Sequence, residues 1–222
     1  MANSRVALVA GATGLTGGYL LSKLLTDDRY ARVIAWVRNA SLPAHHKLAE
    51  CVVDFDALPM LPSVEDAYCC LGTTIKKAGS QTAFRRVDFE FVLAFAHAAR
   101  IAGAKRFLVI SSIGANSQSM VFYSRVKGEM ENALREIGFE ALHIFQPSLI
   151  LGERQEQRPA ERIGIAAFNM IGALMLGPMR KYQPIESEAI ARAMVRAAFS
   201  KARGTNVYRS DAINTMASKF PG

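Results

Sequence analysis

The segment Val6-Ala-Leu-Val-Ala-Gly11-Ala-Thr-Gly14-Leu-Thr-Gly17-Gly18 constrains this chain more than any other. An apolar, β-forming run ends in a glycine-rich turn, and Tyr19-Leu-Leu-Ser-Lys-Leu-Leu then reads as helix. Strand, glycine turn and helix, in that order, form the context in which a dinucleotide fingerprint has physical meaning. Glycine takes positive φ and leaves room for a pyrophosphate to approach. The free N–H groups at the helix start then meet its charge. The spacing is Gly11-x-x-Gly14-x-x-Gly17, not Gly-x-Gly-x-x-Gly. The competing explanation is an ordinary βα turn that happens to be rich in glycine.

The rest of the chain supports one α/β domain over residues 1–222, with a small substrate-side region at about 152–186. Its 222 residues and 50% hydrophobic content suffice for a full core. Strands are expected at 5–10, 32–37, 50–54, 66–71, 105–111, 140–146 and 205–209. Helices are expected at 15–26, 81–102, 122–137, 160–176 and 186–200. Within 81–102, Val87, Phe91, Ala94, Phe95, Ala98 and Ile101 keep helical spacing, as do Ile190, Met194 and Ala197 further on. Alternation of this length predicts a doubly wound parallel sheet, three layers α/β/α, of Rossmann type.

Charge and cysteine content narrow the classes. The net charge of +8 is scattered, with no long Lys/Arg block, which favours anionic small ligands over nucleic acid. Cys51, Cys69 and Cys70 provide neither a disulfide framework nor a metal spacing, and a reducing, cytoplasmic setting fits them best. His45, His46, His97 and His143 lack ligand spacing, so no metal is expected. No signal peptide is read at the N-terminus. The uncharged stretch 163–179 is short for a membrane span and is broken by Asn169, glycines and Pro178. A buried helix, a substrate lid or a contact in a homodimer or with another protein suits it better.

In such a sheet ligands meet the carboxyl ends of the strands. Each expected end carries a candidate. Arg38, followed by Asn39, stands where an acidic residue would bind a ribose 2′-hydroxyl, and it suits a 2′-phosphate; a solvated surface Arg is the alternative. Asp54 either meets the adenine amino group or makes a turn. Leu71, Gly72 and Thr73 follow the fourth strand: Gly72 permits close backbone approach, and Thr73 either lines the site or caps a turn. Ser111 and Ser112 end the fifth strand, and Gln146-Pro147 end the sixth.

Tyr123-Ser-Arg-Val-Lys127 opens the helix after the fifth strand, and residues four apart share a helix face. A free phenol, with pKa near 10, is a poor proton donor or acceptor at neutral pH. An adjacent ammonium lowers that pKa by stabilising the phenolate. Ser112 could hold a substrate carbonyl beside the phenol. The alternative is a surface Tyr and a Lys paired with Glu131.

Gly11-x-x-Gly14-x-x-Gly17, Arg38, Ser112 and Tyr123-x-x-x-Lys127, in this order, resemble the short-chain dehydrogenase/reductase superfamily in its short atypical branch. Cys70-Leu-Gly-Thr-Thr, Phe84-Arg-Arg-Val-Asp88, Tyr123-x-x-Val-Lys-Gly-Glu129 and Arg154-Gln-Glu-x-Arg158-Pro159 are similar to the Tat-interacting-protein-like oxidoreductases and their bacterial relatives. The likeness runs from residue 5 to about 200. It implies an NADP(H) site, preferred over NAD(H), built on Thr13, Gly14, Leu15, Thr16, Arg38, Asn39, Leu71, Gly72, Tyr123, Lys127, Ile150 and Arg158. It also implies Tyr123 as general acid/base, Lys127 on the nicotinamide ribose, and Pro147 with the following backbone lining the nicotinamide. The chain departs from the extended branch, which often has Asn where Val87-Asp88-Phe89 stands.

Two classes of function follow. One is an NADP(H)-dependent reductase of a carbonyl or related group on a small-molecule substrate that the sequence does not identify. The other is an NADP(H)-responsive binding protein without turnover. A nucleotide-sugar epimerase is a weaker third, because such chains usually carry a larger C-terminal substrate region.

Overall fold

A computed structural model describes residues 5–152 and 182–218. The expected helix at 160–176, the uncharged stretch 163–179 and Arg158 lie outside them. Seven strands form one sheet: β1 (Arg5–Ala10), β2 (Tyr30–Val37), β3 (Leu48–Val52), β4 (Asp66–Cys69), β5 (Arg106–Ile110), β6 (Ala141–Gln146) and, last in the chain, β9 (Gly204–Arg209). Their order is β3-β2-β1-β4-β5-β6-β9, and every neighbouring pair is parallel. The short strands β7 (Ile150–Leu151) and β8 (Ile185–Glu186) form a separate parallel pair, which the sequence reading did not anticipate.

Both sheet faces are covered, so the strands read as continuous apolar runs rather than as alternating ones. Alternation decides only which layer each side chain enters. Ala7 and Val9 of β1 pack in one cluster with Leu20, Leu21 and Leu24 of α1 (Leu15–Thr26) and with Ile190 and Met194 of α6 (Ser187–Ala198). Leu8 and Ala10 pack in the other, with Val92, Phe95 and Ala99 of α4 (Phe91–Ile101) and Met130 and Leu134 of α5 (Phe122–Glu136). A last helix, α7 (Ser210–Ser218), adds Ile213 and Ala217 to the first layer and was also unanticipated.

The expected helix 81–102 is interrupted. After α2 (Ile75–Ala78) come α3 (Gln81–Arg85), a π-helical turn at Arg86–Glu90, and α4. Its buried stripe is Phe84, Asp88, Val92, Phe95, Ala96 and Ala99, whereas the sequence spacing singled out Val87, Phe91, Ala94, Phe95, Ala98 and Ile101. Of those, Ile101 is 88% exposed. The misassignment has a simple cause: the stripe contains a carboxylate, and hydropathy places carboxylates outside.

The amino-terminal ends of the strands carry a buried polar network. Asp66, with no exposed surface, accepts from Arg5 Nη1 at 3.2 Å, Arg106 Nη1 at 2.8 Å and the Tyr30 hydroxyl at 2.7 Å. The Tyr30 hydrogen is committed to Asp66, so the Tyr68 hydroxyl donates across the 2.7 Å that separates the two phenols. Burial, together with Asp66, raises the pKa of both tyrosines. The network ties β1, β2, β4 and β5 together at the end opposite the glycine turn.

Candidate functional site

Strand order reverses between β1 and β4, and the glycine turn lies at that switch. Gly11 has φ +82°, and a Cβ there would lie 2.5 Å from the Cys70 carbonyl oxygen. At Gly17 a Cβ would stand 2.0 Å from the Gly11 oxygen. These two glycines are therefore demanded by the packing of the turn. Gly14 differs. Its φ of −80° suits any residue, and an added Cβ would meet only the Gly11 oxygen, at 3.2 Å. It occupies the N-cap of α1, where no side chain caps the helix and no acidic residue enters the first turn. An uncapped, acid-free helix start leaves its first N–H groups and the positive end of the helix dipole without a protein partner of opposite charge. Thr13 and Gly14 are exposed there, Leu15 is half-buried, and Thr16 and Gly17 are buried. With the dinucleotide site that the sequence leads one to expect, Gly14→Val should lower NADPH affinity by at least about tenfold, or ~1.4 kcal/mol, at a modest cost in stability as the Gly11 carbonyl yields to the new Cβ. Unchanged affinity in a folded variant would remove the turn from the site.

The next strand ends sit in the same row. Trp36 is buried at the end of β2, edge-on to Phe55 at 5.9 Å and Phe95 at 5.4 Å. It fixes the strand exit, after which Arg38 and Asn39 are exposed. After β3, Asp54 Oδ1 accepts the Asp56 amide at 3.0 Å and the Asp54 carbonyl accepts the Ala57 amide at 3.1 Å. Both groups thus have partners within a turn. Beyond β4, Leu71 is half-buried and Gly72 is exposed. Thr74, not Thr73, caps α2, its hydroxyl accepting the Lys77 amide at 3.1 Å. The Thr73 amide is spent on Asp88 Oδ2 at 2.8 Å.

Tyr123 and Lys127 lie on the first turns of α5. The Phe84 ring packs 5.3 Å from that of Tyr123, which is half-buried. Lys127 is 4% exposed and Asp88 is 1% exposed, and Nζ lies 2.7 Å from Oδ1. Burial pushes the Lys127 pKa down, but attraction to Asp88 and Tyr123 outweighs it, and the net shift is upward. The ion pair with Glu131 considered above does not form. Glu131 is buried against other groups, accepting from Ser111 Oγ at 2.5 Å, Gln146 Nε2 at 2.9 Å and Arg135 Nη2 at 3.3 Å. Ser111 is thereby committed to the framework. Ser112 is half-buried, and its hydroxyl meets only its neighbour's carbonyl, that of Ile113, at 3.3 Å.

The ends of β5 and β6 are laced together: the Ile113 amide donates to the Pro147 carbonyl at 2.9 Å. This brings Ser112 and buried Pro147 into one corner. Ile150 begins β7, and Gly152, just beyond it, packs against the Leu15 side chain at the start of α1. Asp88 is the residue that sequence reasoning missed. The available signal was a carboxylate four residues after Phe84, inside an otherwise apolar stripe.

Other candidates stay apart. His143 is buried in β6, and burial together with Arg106 lowers its pKa to about 4. Its Nδ1 lies 3.0 Å from the Tyr208 hydroxyl. Among the described residues no three His, Cys, Asp or Glu side chains gather as metal ligands, and no helix is long and apolar enough to cross a membrane.

Comparison with known proteins shows the family and the fold. The sequence profile of an NAD(P)H-binding family matches residues 11–200. Protein HTATIP2 of Rattus norvegicus is 38% identical over 165 residues, spanning 71% of this chain and 68% of its own. A protein of Aspergillus clavatus named fmp52, mitochondrial, is 36% identical over 217 residues, spanning 92% and 90%. Among solved structures, human epimerase family protein SDR39U1 with NADPH superposes with a TM-score of 0.61 at 18% identity, covering 92% of this chain and 74% of that one. A UDP-N-acetylglucosamine 4-epimerase from Methanobrevibacter ruminantium M1 gives a TM-score of 0.71 at 15% identity, covering 97% and 81%. At these identities the structural likeness establishes the Rossmann-type fold.

Proposed function

Because this chain belongs to the NAD(P)H-binding family, we propose that it is an NADP(H)-dependent oxidoreductase acting on a carbonyl or related group of a small molecule. The observation that carries this reading is Lys127, buried and charged, one helical turn from Tyr123 at the carboxyl end of the sheet. An uncapped glycine turn, an exposed Gly72 and an exposed Arg38 fit a dinucleotide with a 2′-phosphate. In this reading Gly11, Thr13, Gly14, Leu15, Thr16 and Gly17 form the pyrophosphate cradle. Arg38 and Asn39 take the 2′-phosphate, and Asp54 borders the adenine. Leu71, Gly72, Thr73, Pro147, Ile150 and Arg158 border the rest of the dinucleotide. The whole chain acts as one unit, with about 152–186 on the substrate side.

A nicotinamide dinucleotide held by these residues would supply the hydride. Ser112 holds the substrate carbonyl, and the Tyr123 hydroxyl gives its proton to the oxygen on which negative charge develops. Lys127 stabilises the resulting phenolate and reaches the ribose. Arg38→Ala is expected to erase a preference for NADPH over NADH of about 10–150-fold. That corresponds to roughly 1.5–3 kcal/mol for a charge-assisted hydrogen bond. Titration of both cofactors against wild type and variant checks it, and equal wild-type affinities would sink it.

The decisive experiment is cofactor oxidation against a panel of carbonyl compounds. Tight NADPH binding with no turnover across the panel would favour the cofactor-responsive binding protein. A reducing, cytoplasmic location is part of the proposal, supported by the unpaired Cys51, Cys69 and Cys70. Cell fractionation tests it against the mitochondrial location in the names of the fungal relatives.

A further inference from the structure

We propose that Asp88 is a positioning residue of this site, its carboxylate keeping Lys127 charged and in place while anchoring the Gly72–Thr73 strand end to the same point. One carboxylate oxygen takes the Lys127 ammonium at 2.7 Å, and the other takes the Thr73 amide at 2.8 Å. A Cβ on Gly72 would stand 3.5 Å from Asp88 Oδ1. The residue thus joins the loop after β4 to α5, and it does so from a π turn, a geometry that recurs at functional sites.

The charge balance requires such a partner. An ammonium as enclosed as Lys127 loses its proton unless a counter-ion compensates the lost hydration. The groups that act on it are few. From β4 comes Cys69, whose thiol burial pushes up to about 12, so it stays neutral. From α5 itself comes Tyr123, while Glu131, further along α5, is engaged by Ser111, Gln146 and Arg135. Arg85 of α3 is paired with Glu129 at 2.5 Å. Among the described residues Asp88 is the carboxylate in contact with Lys127. Asn at this position would keep the shape and the acceptor for Thr73 but surrender the charge. A buried pair that loses one member leaves the other uncompensated.

The test separates this inference from the proposed function, on which only its cofactor arm rests. Lysine residues are labelled with ¹³C at Cε, and the Lys127 signal is assigned by its loss in Lys127→Arg. Asp88→Asn is expected to lower the Lys127 titration midpoint by at least about one pH unit, and Asp88→Glu to restore most of it. NADPH affinity in Asp88→Asn should fall off at a lower pH than in wild type, and recover on acidification. An unmoved Lys127 midpoint in folded Asp88→Asn overturns the proposal. If Asp88→Asn does not fold, the double variant Asp88→Asn/Lys127→Met removes both charges. Its recovery of the fold supports the charge-pair role, and its failure to recover overturns it. Wild-type protein that binds no NADPH would defeat the proposed function, yet the lysine titration would still decide the role of Asp88.

Discussion

Tyr123→Phe is expected to lower turnover by roughly 10²–10⁴-fold and to leave cofactor affinity unchanged. The substitution keeps the ring that packs 5.3 Å from Phe84 and removes only the hydroxyl, so folding should be unaffected. The loss measures a proton transfer made in the transition state, and it should appear in kcat rather than in cofactor binding. Lys127→Ala is expected to impair both steps. It should also move the pH–rate profile of any residual activity to higher pH. The cation beside the phenol is gone, and the Asp88 carboxylate left behind opposes phenolate formation. Steady-state kinetics on both variants, with cofactor affinity measured by fluorescence, checks this. Full turnover in Tyr123→Phe would refute the acid/base role.

The second large effect lies at the opposite end of the sheet. Asp66→Ala should cost about 3–5 kcal/mol of folding stability, as expected when one member of a buried ionic cluster is removed. Two guanidinium groups lose their shared carboxylate, and the Tyr30–Tyr68 hydroxyl pair loses its terminal acceptor. Arg5 and Arg106 are 24% and 22% exposed, so partial hydration places the expected cost nearer the lower bound. Urea unfolding reads it as a shift in midpoint at constant slope. A loss under about 1 kcal/mol would mean that the network contributes little beyond its desolvation. NADPH affinity should hold, because these residues stand at the amino-terminal strand ends.

Much of this architecture was legible in the chain because both faces of a parallel sheet are buried. Strands such as Val6–Ala10 and Phe107–Ile110 then announce themselves as unbroken apolar runs. The positions of the glycine turn, Arg38 and Gly72 at the carboxyl ends of the strands, and of Tyr123 and Lys127 at the start of α5, were legible for a related reason, since the strand–helix alternation fixes where those ends fall. What escaped were features set by pairing across the chain. Its spacing from Phe84 hints that Asp88 shares the buried stripe, but Lys127, 39 positions away, is what makes its burial tolerable. Asp66 is hidden in the same way behind Arg5 and Arg106. The strands β7 and β8 are two residues each, too short for any periodicity, and their pairing joins Ile150 to Ile185 across 35 positions. The engagement of Ser111 likewise depends on a distant partner, Glu131.

The π turn also sets a rotational phase. Residues spaced by four on an α-helix drift by about 40° at each step, so three steps carry a side chain about 120° around the axis. Phe84, Asp88, Val92 and Ala96 are spaced in this way and are nevertheless all buried. A wider turn absorbs the drift, since one surplus residue corresponds to about 100° of rotation. The insertion therefore acts as a gear. It lets the segment that faces Tyr123 and Lys127 share an axis with the segment that faces the sheet. Winding the same residues as unbroken α-helix would swing Phe84 and Asp88 about 100° away from α5, whereas deleting one residue of the wide turn would close it to an α turn and keep both in phase with Val92 and Ala96.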